Sequence, residues 1–208
     1  MKRKERLGQR RGFTIVELVA VIAIIGVLAV VLVPTLVGVV TDSRISSANQ
    51  TARQIRDRAG EFMTKMDTQN DTHINGSQTV NIVIEDGLWS ISGGSASDWL
   101  DGVNHWSSSE SVQVSGGLPN QSTELLSYLA HALGGIKSAY VEIHVTTSYI
   151  VGVSVVEGST TAAPSMPAMD DFRAERFGFG GSDKAGYYDG WFIGTAPRLE
   201  LDTAAEAS

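Results

Sequence analysis

One carboxylate stands in the longest apolar segment of this 208-residue chain. Glu17 is the only charged residue among the 28 residues from Phe13 to Val40. An ionised group is costly in lipid, so an acid in such a segment is a candidate functional group that needs a cationic partner. The chemistry that these residues offer is therefore charge pairing with another group.

The 12 residues before the apolar segment are strongly basic. Their basic side chains are Lys2, Arg3, Lys4, Arg6, Arg10 and Arg11. With Glu5 as the one acid among them, residues 1–12 carry a net charge of +5, whereas residues 13–208 carry −12. A basic cluster before an apolar segment predicts that the N-terminus stays in the cytoplasm and that everything after Val40 lies outside. The acidic remainder of the chain argues against nonspecific nucleic-acid binding over most of its surface, and no specific nucleic acid is predicted as a partner.

The apolar segment is long enough to cross a membrane as a helix, which takes about 20 residues. It is longer than the apolar core of a secretory signal peptide, and no persuasive cleavage site with small residues follows it. A plain membrane anchor is the simplest interpretation, although Glu17 contributes nothing to such an anchor. Pro34 lies inside the segment and removes a helical hydrogen-bond donor, so we predict a kink or local unwinding there.

The helix is predicted to continue beyond the apolar segment to about Met66. Its apolar positions are spaced alternately by three and four residues, which indicates one buried face. They are Ile45, Ala48, Ala52, Ile55, Ala59, Phe62 and Met66. Packing against the core of the same chain is the favoured interpretation, and coiled-coil pairing with another chain is the alternative.

The rest of the chain shows the patterns of a small sheet domain. Val80, Ile82 and Ile84 alternate with more polar residues, and a hairpin through Asp86-Gly87 is predicted to return along Leu88–Ser92. A short helix is predicted over Gln121–Leu133. Two strong strands are predicted at Ala139–Thr146 and Tyr149–Val156. The predicted fold class is α+β, with a long N-terminal helix packed on a small antiparallel sheet.

The sequence contains no recognisable catalytic constellation. It has no cysteine, no G-x-S-x-G, no H-E-x-x-H and no phosphate-binding glycine loop, so no enzyme activity and no cofactor or metal is predicted. The four histidines have no ligand spacing, and His144 is predicted to be solvated. Four acids near the glycine-rich C-terminal part could bind Ca²⁺, but a solvated acidic surface is favoured. They are Asp170, Asp171, Asp183 and Asp189.

Residues 11–19, Arg-Gly-Phe-Thr-Ile-Val-Glu-Leu-Val, closely resemble the class III leader junction of type IV prepilins and of the pseudopilins of type II secretion. The resemblance is specific over about residues 9–40. It implies that a prepilin peptidase cuts after Gly12 and that the new amino group of Phe13 is methylated. Glu17 then becomes the fifth mature residue and Pro34 the twenty-second, as in that family. The paired C-terminal cysteines of many pilins are absent.

The resemblance and the residue patterns together predict four segments. They are a basic leader (1–12), a transmembrane or filament-core helix (13–40), its amphipathic continuation (41–68) and an extracytoplasmic head domain (69–208). The predicted function is that of a structural subunit of a type IV pilus or a related pseudopilus, in which Glu17 pairs with the terminal amine of a neighbouring subunit.

The implied partners are other pilin-like subunits, the prepilin peptidase and methyltransferase, a membrane assembly platform with its ATPase, and membrane lipid. We predict a single pass through the cytoplasmic membrane before assembly and a place in a surface filament afterwards. The alternative is a membrane-anchored module whose sheet domain binds a surface partner, and a membrane-tethered enzyme has no positive support.

Overall fold

The computed structural model of the chain describes residues 13–70, 77–94, 105–107, 121–146, 149–182 and 184–202, with backbone only for 65–70, 105–107 and 121–124. The chain divides into two compact units, residues 1–42 and 43–208. The helix α1 (Ile15–Asn70) begins in the first unit and ends in the second.

In the first unit, the side chains of α1 have no protein partner to cover them among the described residues. Ile15 is 81% exposed, and Val40 at the other end of the apolar segment is 50% exposed. Because a helix satisfies its own backbone hydrogen bonds, an apolar helix of this kind is stable in lipid without other protein around it.

In the second unit, the predicted apolar stripe of α1 is buried, which confirms that part of the sequence prediction. Its members from Ile45 to Phe62 are each at most 6% exposed, whereas the side chain of Met66, the last predicted member, lies outside the described residues. Three of them are alanines, whose small side chains allow strands to approach the helix closely. Gly194 lies so close to the backbone of Ala48 that any Cβ at position 194 would overlap it.

Nine strands lie in the described part of the chain. They are β1 (Ser77–Glu85), β2 (Leu88–Gly94), β3 (His105–Ser107), β4 (Ala139–Thr146), β5 (Tyr149–Glu157), β6 (Arg176–Phe177), β7 (Tyr187–Tyr188), β8 (Trp191–Ala196) and β9 (Glu200–Leu201). Seven form one sheet in the order β3-β2-β1-β4-β5-β8-β7, and every neighbouring pair in it is antiparallel. The strands β6 and β9 form a separate parallel pair.

The turn between β1 and β2 confirms the predicted hairpin. Asp86 has a φ of 51° and Gly87 a φ of 82°. Two successive residues with positive φ are the pattern of a type I′ turn, whose twist suits a two-residue hairpin.

The sheet is covered on both faces. One face packs on α1 and on the helix α2 (Gln121–Ala132), and its core includes Ile82, Val141 and Ile143. The other face packs under residues 158–182, which include the short helix α3 (Met169–Ala174) and the buried Phe172 and Phe179. The predicted α+β class, with a long apolar helix followed by an antiparallel sheet in a pilin-like layout, is therefore confirmed.

Candidate functional site

The first turn of α1 holds Glu17 in a reciprocal set of hydrogen bonds. The backbone N–H and the hydroxyl of Thr14 both donate to Glu17 Oε2, at 2.9 Å and 2.8 Å. In return, the backbone N–H of Glu17 donates to Thr14 Oγ1 at 3.2 Å. The carbonyl of Thr14 accepts the first helical hydrogen bond, from the N–H of Leu18 at 3.2 Å. Thr14 is therefore the N-cap, and Glu17 is the third helical residue of a capping box.

The capping box gives Glu17 a local partner that sequence reasoning missed. The signal was present, because a threonine followed three residues later by glutamate, just before an apolar run, is the signature of this motif. The positive end of the helix dipole also stabilises a carboxylate at this position. In a single chain, Glu17 is thus oriented by Thr14, the residue that follows Phe13. Gly12, at the predicted cleavage site, lies outside the described residues.

The helix that follows the capping box presents apolar side chains on all sides. Its large apolar residues from Phe13 to Val40 are between 46% and 81% exposed. By length and composition, α1 is apolar enough to cross a membrane. A surface of this size and character either lies in lipid or packs against other apolar helices.

The helix α1 continues through Pro34. Proline has no N–H to donate to the carbonyl of Val30, four residues earlier. The hydroxyl of Thr35 donates to the nearby carbonyl of Leu32 at 2.8 Å. Side-chain oxygens thus supplement the backbone bonding of the apolar segment in its first turn, beside Pro34, and at Val37, whose carbonyl accepts from the Thr41 hydroxyl at 3.0 Å. The kink at Pro34 stays a prediction.

His144 is buried, and the prediction that it is solvated was wrong. It is 4% exposed, because residues 158–172 fold over the second face of the sheet, where its side chain lies. Its Nε2 lies 3.0 Å from the carbonyl oxygen of Pro167, and its Nδ1 lies 3.1 Å from Thr79 Oγ1. A carbonyl can only accept, so Nε2 carries the proton and Nδ1 accepts from the threonine hydroxyl. The ring of Phe172 packs 5.3 Å from the imidazole.

Two further ionisable groups lie beside His144 on the same strand. The hydroxyl of Tyr140 donates to Glu142 Oε1 at 3.1 Å, and Glu142 Oε2 lies 3.9 Å from His144 Nε2. Burial, reinforced by the Glu142 charge, raises the pKa of Tyr140 to about 12. Burial raises the pKa of Glu142 against the opposing hydrogen bond from Tyr140. Burial also lowers the pKa of His144, although the Pro167 carbonyl and Asp171 act in the other direction. The cluster therefore favours neutral side chains.

The buried histidine predicts how the stability of residues 43–208 depends on pH. The folded domain holds the pKa of His144 below its ordinary value of 6.5, so the unfolded chain binds a proton first as pH falls. Each unit of such a shift corresponds to about 1.4 kcal/mol. We expect His144→Gln to remove a component of stability that wild type has above pH 6.5 and loses below it. Urea unfolding of wild type and His144→Gln at a series of pH values, from about pH 7.5 to about pH 5, measures the two free energies of unfolding and so the lost component.

The raised pKa of Glu142 works in the opposite direction, because its contribution to stability is lost as pH rises above 4.5. Glu142 is present in both wild type and His144→Gln. The difference between their free energies of unfolding therefore reports mainly on the histidine. Parallel stability profiles for the two proteins between pH 7.5 and pH 5 would contradict the role given to His144.

Of the four acidic residues considered as calcium ligands, Asp170 and Asp171 have other partners, and Asp189 is exposed. Asp170 pairs with Arg173 at 3.0 Å, and Asp171 Oδ2 accepts the N–H of Ala168 at 2.7 Å, which caps α3. Asp183 lies outside the described residues. Within the ranges that the structure covers, no three His, Cys, Asp or Glu side chains are grouped so as to hold a metal ion.

Two family models match the chain, and together they cover most of it. A prokaryotic N-terminal methylation motif matches residues 7–33. A family described as a domain of unknown function, DUF5021, matches residues 45–200. No curated protein and no solved structure matches. The first match covers the leader junction and the capping box, and it confirms the class III leader of the pilins and pseudopilins. The second match covers the continuation of α1 and the sheet.

Proposed function

We propose that this chain, which belongs to the family described as a domain of unknown function (DUF5021), is a structural subunit of a type IV pilus or of a related pseudopilus. The observation that carries the proposal is the N-terminal methylation motif joined to a helix whose apolar side chains are exposed all round. A surface of this kind suits a subunit that is first stored in a membrane and then packed among copies of the same helix.

The proposed processing begins at the leader. The peptidase cuts after Gly12, and the amino group of Phe13 that this step creates is methylated. The basic residues 1–12 keep the N-terminus in the cytoplasm, so the head domain lies outside before assembly. Removal of the leader takes away five net positive charges that would otherwise accompany the helix out of the membrane.

The proposed role of Glu17 follows from the capping box. In the stored subunit its carboxylate accepts two hydrogen bonds from Thr14, so the acid is not left without a donor in the membrane. In a filament the same carboxylate meets the amine of Phe13 on a neighbouring subunit. Pairing the two charges in a low-dielectric core removes the penalty of leaving either one alone. The pair then acts mainly as a register device, while apolar packing supplies most of the cohesion.

Pro34 gives the helix a place to change length. The carbonyl of Val30 has no backbone N–H to accept from, so unwinding there loses fewer hydrogen bonds than elsewhere in the helix. Gly38 lies one turn later, and nothing would crowd a side chain there. We infer that this stretch adjusts when the helix moves from the membrane to the filament.

The proposal is tested by expressing the full chain in a host that has a prepilin peptidase, an assembly platform and its ATPase. We expect mass spectrometry to find a methylated Phe13 at the N-terminus and sheared filaments to contain the chain. The same host without its assembly ATPase should keep the processed chain in the membrane. A chain that begins at Met1 and stays in the membrane of the complete host would instead favour an anchored binding module.

A further inference from the structure

The hairpin that β7 and β8 form is rich in aromatic side chains. Of the 15 aromatic residues of the chain, four lie within the six residues 187–192. They are Tyr187, Tyr188, Trp191 and Phe192. Each of them is half-buried, so part of its surface packs on the protein and part stays open to a partner. We call residues 187–192 the aromatic hairpin.

The aromatic hairpin lies beside the first residues that α1 contributes to the second unit. The guanidinium of Arg44 lies over the ring of Phe192, 5.1 Å from its centroid. Further from the turn, the backbone N–H of Thr195 donates to Asn49 Oδ1 at 2.8 Å. The residues of β8 that are nearer the turn therefore contact the residues of α1 that are nearer Val40.

The length of the apolar segment places Arg44 at the surface of a membrane that α1 spans. The 23 residues from Leu18 to Val40 are uncharged and extend about 35 Å as a helix. The hydrocarbon core of a bilayer is about 30 Å thick, so Val40 reaches its outer edge when Glu17 lies at its inner edge. Arg44 follows about 6 Å further along the helix, which is the thickness of one headgroup layer.

The side chains of the aromatic hairpin have the chemistry that suits a headgroup layer. Tyrosine and tryptophan are enriched at membrane–water interfaces, because their rings are apolar and their O–H or N–H is polar. Arg44 is exposed, and its guanidinium can pack on a ring while it donates to a lipid phosphate. The turn carries the exposed Asp189, whose carboxylate is costly in hydrocarbon. The turn is therefore expected to stop at the headgroups.

We propose that the aromatic hairpin docks on the outer headgroup layer of the membrane that α1 spans, where Arg44 binds lipid phosphate. Lipid is the occupant because the hairpin adjoins the part of α1 that leaves the bilayer, so its open surface continues the apolar surface of the span. This contact orients the head domain of a stored subunit. The proposal requires only that α1 spans a membrane, so it goes beyond the proposed filament function and does not depend on it.

The absence of cysteine from the chain allows one fluorophore to be placed at the turn. Asp189→Cys in the full chain is labelled with bimane and reconstituted in phosphatidylcholine vesicles. Tyr149→Cys is the matched control, because Tyr149 is 60% exposed and lies at the far end of β5. It is seven residues, about 23 Å, along that strand from Val156, which pairs with Ile193 beside the hairpin.

We expect the two labels to differ in their access to lipid and to water. A nitroxide carried by the lipid near its headgroup should quench the label at position 189 at least threefold more than the label at position 149. Iodide in the surrounding water should quench the label at position 149 more strongly.

Trp191 gives a second measurement that needs no label. Trp191→Phe keeps an aromatic ring, so the difference in tryptophan emission between wild type and this variant reports on Trp191 alone. Lipid brominated near the headgroup should quench this difference at least twofold more than lipid brominated near the chain ends. Equal quenching by the two lipids would contradict a position at the headgroups.

Replacing the rings tests whether they make the contact. Tyr187→Ser with Phe192→Ser, added to Asp189→Cys, should lower the quenching by lipid to that of the Tyr149→Cys control. Tyr149→Ser, added to Asp189→Cys, should leave the quenching unchanged. Urea unfolding shows whether each variant still folds. Arg44→Ala, at an exposed site, is the second variant and should at least halve the quenching.

The outcomes separate lipid from other occupants. Equal quenching by lipid at positions 189 and 149 would overturn the docking. A label at position 189 that neither lipid nor iodide quenches would mean that protein covers the hairpin, which also contradicts the proposal. Folded serine variants that lipid quenches as before would show that the rings do not make the contact. A chain that docks in vesicles but enters no filament would contradict the proposed function and leave this inference standing.

Discussion

Replacing Gly12 with leucine is expected to leave the leader on the chain and to abolish its entry into filaments. Glycine at a cleavage site lets another backbone approach closely, and a branched side chain there blocks that approach. Without cleavage, no amine forms at Phe13 to meet Glu17. The six basic side chains of the leader would also have to enter an apolar core. We expect the processed fraction and the filament yield both to fall at least tenfold, as measured by mass spectrometry of the N-terminus and by recovery of sheared filaments.

Gly8 provides the matched control for this experiment, because it is a second glycine in the same leader. Gly8→Leu should be cut after Gly12 as in wild type. Both variants should reach the membrane, since the apolar segment is unchanged. A Gly12→Leu chain that still begins at Phe13 would remove the cleavage assignment.

Replacing Glu17 with alanine is expected to leave membrane insertion intact and to reduce filament yield at least tenfold. Alanine suits the apolar segment better than glutamate does, so insertion does not suffer. Alanine cannot accept the two hydrogen bonds from Thr14, and it cannot pair with an amine. The measurements are membrane fractionation and the amount of the chain in sheared filaments.

Two further variants separate capping of the helix from pairing of charges. Glu17→Gln keeps an oxygen that can accept from Thr14 but has no charge, so it should assemble as poorly as Glu17→Ala. Thr14→Val loses the cap, which costs about 1 kcal/mol of helix stability, but keeps the carboxylate. We expect Thr14→Val to assemble better than Glu17→Gln. The reverse order would mean that Glu17 serves the helix end and not the neighbouring subunit.

The long helix, the hairpin and the two central strands could be predicted because their signals are local. The 3-4 spacing from Ile45 to Phe62 and the Asp86-Gly87 turn each specify an element from a few neighbouring residues. The capping box is equally local, but the same Glu17 fits two patterns: an acid in an apolar segment indicates a partner on another molecule, whereas a threonine three residues earlier indicates a local one.

The features that depend on distant residues could not be predicted. The alternation of β4 places His144 on the face opposite Val141 and Ile143, but nothing in that strand shows that Pro167 and Phe172 cover this face. The strands β6, β7 and β9 have two residues each, too few to show any period. The contact between Phe62 on α1 and Tyr128 on α2 joins residues more than 60 positions apart, and no sequence pattern marks such a meeting.

The alanines of α1 have a mechanical consequence. The head domain has no disulfide to hold it together, so the sheet stays on the helix through close contacts such as that of Gly194 with Ala48. A tensile load on α1 would have to shear all of these contacts at once, because they lie side by side along the helix. Because the domain has no disulfide, its unfolding under load would break only non-covalent contacts, and a larger side chain at position 194 would weaken the packing of the sheet on the helix.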